Sequence, residues 1–176
     1  MIILVGYMAS GKTSVGKALA VITGRRFIDL DHYLEQTHNR TLKELFEEGE
    51  MAFRAYERDA LIKLLASCSN EIVAVGGGTP CYYDNMALIS KSGYSVYLRT
   101  TIPVLVNRLT SQAEVRPLLA RIEPQDLPEF LGKHLFERRV FYERAQTTID
   151  TQGSPQQLAK EIWDIYNSQR RQNEFI

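Results

Sequence analysis

The chain has 176 residues, 44% hydrophobic and 24% charged, which fits one folded domain able to bury roughly 70% of its unfolded surface without a disulfide or structural metal. Twenty-one Lys and Arg against twenty-one Asp and Glu leave a formal charge of zero, which argues against a nucleic-acid partner driven by bulk charge. Two cysteines, Cys68 and Cys81, are too few for a disulfide framework or zinc cluster, and no apolar run approaches the ~18 residues of a membrane span.

In chain order, Ile2 to Val5 reads as a buried strand, with no basic leader before it. Cytoplasmic location, no membrane partner and a monomeric state are the expectations. Val15, Ala18, Leu19 and Ile22 then recur at helical spacing, and Gly24 stands where a left-handed cap would end that helix. Phe27 to Leu30 is a second strand. Thr41 with Glu44 forms a capping box, and Met51 to Leu65 is a longer helix with Phe53, Ala60, Leu61, Leu64 and Leu65 on one face. Ile72 to Val75 and Tyr94 to Leu98 are further strands, and Thr147 to Ile149 is a weaker fifth. Ser154-Pro155-Gln156-Gln157 opens a last helix carrying Leu158, Ile162 and Tyr166. This alternation predicts an α/β fold, a parallel sheet covered on both faces, with ligands beyond the carboxyl ends of its strands. Residues 31–60 insert two helices where a crossover needs one. Residues 111–128 are polar and lack clean periodicity, the pattern of a lid.

Gly6-Tyr7-Met8-Ala9-Ser10-Gly11-Lys12-Thr13 satisfies G-x-x-x-x-G-K-[ST] between a strand and a helix. Backbone N–H groups from Ala9, Ser10, Gly11, Lys12, Thr13 and Ser14 would wrap the phosphates of a nucleotide such as ATP. Lys12 would reach the β- and γ-phosphates, and Thr13 would ligate Mg2+. Asp29 and Asp31 close the second strand, where strand alternation would point both to one side. One could hold magnesium through water and the other meet an acceptor hydroxyl; alternatively Asp31 only caps the next helix. Gly76-Gly77-Gly78 would bare backbone N–H groups to a small ligand, or else form a flexible turn. Arg54 could clamp a carboxylate, although Glu50 and Glu57 at helical spacing also suit a surface ion pair. Arg116 stands inside the lid segment, where it would close over transferring phosphate or remain a solvated loop cation. The three histidines make no ligand spacing and receive no chemistry.

In combination these motifs resemble the shikimate kinase family over nearly the whole chain. The resemblance rests on Gly6-Tyr7-Met8, Asp29-Leu30-Asp31, Phe53-Arg54-Ala55-Tyr56-Glu57, Gly76 to Gly78, Arg116 to Leu119, and Arg138 to Tyr142. It implies a P-loop three-layer α/β/α fold with a five-stranded sheet in order 2-3-1-4-5, a lid and an acceptor-binding subdomain. It also implies transfer of the ATP γ-phosphate to the 3-hydroxyl of shikimate, a step of aromatic amino-acid biosynthesis. By matching positions, Asp31, Arg54, Gly77, Gly78 and Arg138 would hold shikimate, with Gly76 opening the glycine run. Arg116 would cover the phosphates, and Arg108 with Ser154-Pro155 would flank adenine. A gluconate or nucleotide kinase of the same fold is the nearest rival; a GTPase switch is a rival of another class, and it would need Asn-Lys-x-Asp for guanine, which is absent. The chain departs from the family at three places: Ala9 and Ser10 replace Gly-Ala, Leu30 replaces a serine, and Val140 replaces a proline. The methyl of Ala9 is expected to require a negative φ.

Overall fold

The structure is a computed structural model that describes residues 1–111, Leu119 and residues 122–173. Five parallel strands form one sheet in the order β2-β3-β1-β4-β5: β1 (Ile2–Val5), β2 (Phe27–Asp29), β3 (Ile72–Ala74), β4 (Tyr94–Arg99) and β5 (Thr147–Asp150). The register pairs Ile3 with Val73 on one side of β1 and Leu4 with Val96 on the other. The expected order is observed.

Strand alternation sorts the apolar residues into two cores. Ile3, Val5, Val73, Val75 and Tyr97 face one side, where α2 (Leu30–His38), α4 (Glu50–Ser67) and α7 (Leu127–Tyr142) cover them. Ile2, Leu4, Ile72, Val96, Leu98 and Ile149 face the other, under α1 (Lys12–Thr23) and α8 (Pro155–Asn173). The result is three layers, with every residue of β1 buried on both faces. Short α3 (Leu42–Phe46), α5 (Asn85–Ser92) and α6 (Ile102–Ser111) complete the helices among the described residues.

Helix ends follow local chemistry. Gly24 ends α1 at φ 66, and Thr41 with Glu44 closes a complete capping box on α3. Ser154 Oγ accepts from Gln157 N while Gln157 Oε1 accepts from Ser154 N, the reciprocal box expected for α8. Three helices, not two, lie between β2 and β3: α2 precedes the two expected from Thr41 and Met51, because the chain turns helical at Leu30 directly after β2. Of the segment expected as a lid, Ser111 ends α6 and Leu127 begins α7, and residues 112–118, 120 and 121 lie outside the described residues. No helix among the described residues is long and apolar enough to cross a membrane.

Candidate active site

Each strand of the sheet ends at the same edge, and the loops leaving β1, β2 and β3 meet where the strand order reverses. A cavity of about 410 Å³ lies there, bounded by the loop from Met8 to Ser14, by Asp29 and Asp31, by Gly77, and by Arg108, Gly153 and Pro155. One continuous space therefore joins the phosphate loop to the ends of β2 and β3. Ser154, Arg54, Gly76, Gly78 and Arg138 are not part of its lining.

The phosphate end is built for an anion. Gly11 adopts φ 97 at the N-cap of α1, and that helix has neither a side-chain cap nor an acidic residue in its first turn. Its first amides and the positive end of its dipole are left to a ligand. By contrast, Asp29 caps α2 and Thr41 caps α3. The Lys12 ammonium arches over the loop and donates to the carbonyls of Gly6 and Tyr7, both at 2.9 Å. Ala9 overturns the expectation set for it: its φ is 58, in the left-handed region. Alanine tolerates this at a cost of about 1–2 kcal/mol, and Arg108 Nη1 donates to the Ala9 carbonyl at 2.9 Å, holding the turn in place. Arg108 thus stands at the rim of the loop.

Asp29 and Asp31 do not project from one strand. The chain turns helical at Leu30, so Asp29 ends β2 and Asp31 lies in the first turn of α2. Asp29 is the cap, accepting from Asp31 N at 3.1 Å, which removes the capping explanation for the Asp31 carboxylate. The other Asp29 oxygen accepts from Thr13 Oγ1 at 2.8 Å. A hydroxyl and a carboxylate, both hard oxygen donors beside an anion site, suit Mg2+ held partly by phosphate and water. Among the described residues no group of three or more His, Cys, Asp or Glu could hold a metal ion.

The glycine run is a packing necessity rather than a flexible turn. A Cβ on Gly76 would stand 2.8 to 2.9 Å from Glu57 Oε1, Thr79 Oγ1 and Asp31 Oδ1. A Cβ on Gly78 would stand 2.7 Å from both terminal nitrogens of Arg54. The absence of side chains lets Asp31, Glu57 and Arg54 converge on one backbone stretch.

Arg54 makes the ion pair that helical spacing suggested, but inside the protein. It is only 7% exposed, with Nη1 donating to Glu57 Oε2 at 2.9 Å and Nη2 to Glu50 Oε1 at 3.4 Å. Its guanidinium lies 4.2 Å from the centre of the Tyr82 ring. Burial disfavours its charge, yet Glu57 and Tyr82 together outweigh this and hold its pKa above the ordinary value. Buried Nε has no hydrogen-bond partner among the described residues. Glu57 also accepts from Thr79 Oγ1 at 2.6 Å, while Tyr82 carries no motif in the sequence that would place it beside Arg54.

Arg138 lies on α7 one turn from both His134 and Tyr142, and its charge acts on Glu50, Cys81, His134 and Tyr142. Tyr142, buried, donates to the Gly77 carbonyl at 2.6 Å. Arg116, with Pro117 and Leu118, lies outside the described residues.

Comparison with known proteins finds shikimate kinases by both sequence and fold. The family model for shikimate kinase matches residues 8–167. A shikimate kinase from Flavobacterium johnsoniae is 42% identical over 150 residues, covering 84% of this chain and 87% of that protein. The crystal structure of shikimate kinase from Bacteroides thetaiotaomicron superposes with a TM-score of 0.88 at 35% identity, covering 94% of this chain and 97% of that one. That of shikimate kinase from Acinetobacter baumannii in complex with shikimate gives 0.87 at 36% identity, covering 96% and 93%.

Proposed function

Because the chain belongs to the shikimate kinase family, we propose that it transfers the γ-phosphate of ATP to the 3-hydroxyl of shikimate, giving shikimate 3-phosphate and ADP. The observation that carries this reading is the single cavity joining an uncapped helix N-terminus to Asp31 and Gly77, a phosphate donor site facing an acceptor site. We read residues 1–176 as one kinase domain, with an acceptor-binding insertion at about 31–60 and a lid within about 111–128. It acts as a monomer in the cytoplasm, on the route to chorismate and aromatic amino acids.

Phosphoryl transfer passes through a loose transition state, so positioning and charge neutralisation supply most of the rate. The amides of Ala9 to Ser14 hold the phosphates, and Lys12 follows the charge onto the β,γ-bridge. Thr13 would hold Mg2+ with support from Asp29, and the ion, when bound, would neutralise phosphate charge. Asp31 orients the 3-hydroxyl and accepts its proton. Arg54 and Arg138 bind the shikimate carboxylate, while Gly76, Gly77 and Gly78 leave room for the ring. Arg108 and the Ser154-Pro155 loop flank the adenine, and Arg116 closes over the phosphates.

Coupled measurement of ADP release with shikimate, gluconate and nucleoside monophosphates tests the reading. Release dependent on shikimate is expected. Release with gluconate and none with shikimate would overturn it.

A further inference from the structure

The histidines make no ligand spacing along the chain, yet one of them reaches the phosphate loop. His134 Nδ1 and Tyr7 Oη lie 2.6 Å apart across 127 positions of sequence. The two rings meet edge to face, with centroids 5.5 Å apart at 78°, and Phe130 stands 5.4 Å from the imidazole. Tyr7 is only 2% exposed, so its hydroxyl depends on a protein partner rather than on bulk water. Burial, with the Arg138 charge nearby, lowers the His134 pKa to about 4. At neutral pH it therefore meets Tyr7 as an uncharged hydrogen-bond partner.

The placement of His134 on α7 gives this contact a consequence. His134, Arg138 and Tyr142 recur at a spacing of four and form one stripe along the helix. The stripe is fastened at both ends: His134 to the phosphate loop, and Tyr142 to the Gly77 carbonyl. Arg138 stands midway. A helix held at two points one turn either side cannot roll or slide without breaking a contact, so the Arg138 position is fixed relative to both walls of the site.

We propose that Tyr7 and His134 are positioning residues, which hold α7 against the phosphate loop so that Arg138 meets the acceptor at a set distance from the transferring phosphate. The inference rests on the kinase reading above and deepens it. Neither side chain touches the reacting atoms.

Steady-state kinetics on Tyr7→Phe, His134→Leu and His134→Asn test this, beside melting curves. Tyr7→Phe keeps the buried ring and removes one hydroxyl, so folding is preserved. Tyr7→Phe and His134→Leu are each expected to raise KM for shikimate about fivefold, the factor for one hydrogen bond, with KM for ATP held within about twofold. His134→Asn, which keeps a polar atom near the Nδ1 position, restores most of the loss. Combined with Arg138→Lys, Tyr7→Phe adds nothing further, because both changes act through one guanidinium. A lowered melting temperature with unchanged KM, or effects that multiply in the double variant, would overturn the positioning role. An unsubstituted chain that turns over no shikimate would overturn the activity, and this inference with it.

Discussion

Thr13 Oγ1 donates a 2.8 Å hydrogen bond to Asp29 Oδ2, tying the first turn of α1 to the carboxyl end of β2. The same carboxylate caps α2 through its other oxygen, so one side chain joins the two walls of the phosphate site.

Asp29→Asn separates these duties. Asparagine caps a helix as well as aspartate does, but it carries no charge for a metal site. The Mg2+ concentration giving half-maximal rate is expected to rise at least about tenfold, the effect of losing a partner of a metal ligand. The melting temperature stays within about 2 °C, since the cap is kept. Mg2+ titration of activity beside a melting curve checks both.

Asp31→Asn keeps the shape of the side chain but removes the carboxylate proposed to accept the proton. A fall in kcat of at least about 10²-fold is expected, with KM for ATP unchanged. An effect confined to KM for ATP would assign Asp31 to the nucleotide instead.

The Arg54–Glu57 pair predicts two different losses. Glu57→Ala leaves a buried guanidinium without its main counter-charge and should cost about 3–5 kcal/mol in urea unfolding. Arg54→Lys keeps the charge but loses the planar fork, so KM for shikimate should rise at least about tenfold while KM for ATP holds. If Arg54→Lys changes stability alone, the pair is structural.

Ala9→Gly tests the left-handed turn. Relief of the φ 58 strain, about 1–2 kcal/mol, exceeds the roughly 0.5–1 kcal/mol that glycine adds through unfolded-chain entropy. A higher melting temperature is therefore expected. A lower one would show that the turn is unstrained.

His134 gives a pH dependence of defined sign. Its pKa is about 4 in the folded chain, against 6.5 ordinarily, so it is neutral in both states above 6.5. Between 6.5 and 4 the unfolded chain takes up the proton first, and folding stability falls as the pH falls. Burial beside Tyr7 and the cations Arg138 and Arg54 works in this direction, while Glu137 and Glu50 oppose it. Chemical denaturation across that window should give a shallower acid loss for His134→Asn. An unchanged slope would assign the acid sensitivity to other groups.

The amino-acid sequence by itself determined the strands, the phosphate loop and the caps at Gly24, Thr41 and Ser154. Each depends on residues within a few positions of one another, where backbone conformation and hydrogen-bond reach leave few alternatives. It also marked the candidate site residues Lys12, Asp31, Arg54, the glycine run and Arg138, because they sit in short motifs. Tertiary structure alone decided what those residues meet. Helical spacing pairs Arg54 with Glu57 but cannot tell a surface pair from a buried one; that depended on α4 lying under the glycine run. The φ of Ala9 was set by the close approach of the loop and by Arg108, 99 positions away. The Tyr7–His134 contact spans 127 positions, and nothing in either neighbourhood signals the other. Local propensity acts over a turn or two, whereas a side chain's partner across the fold is chosen by how the layers pack.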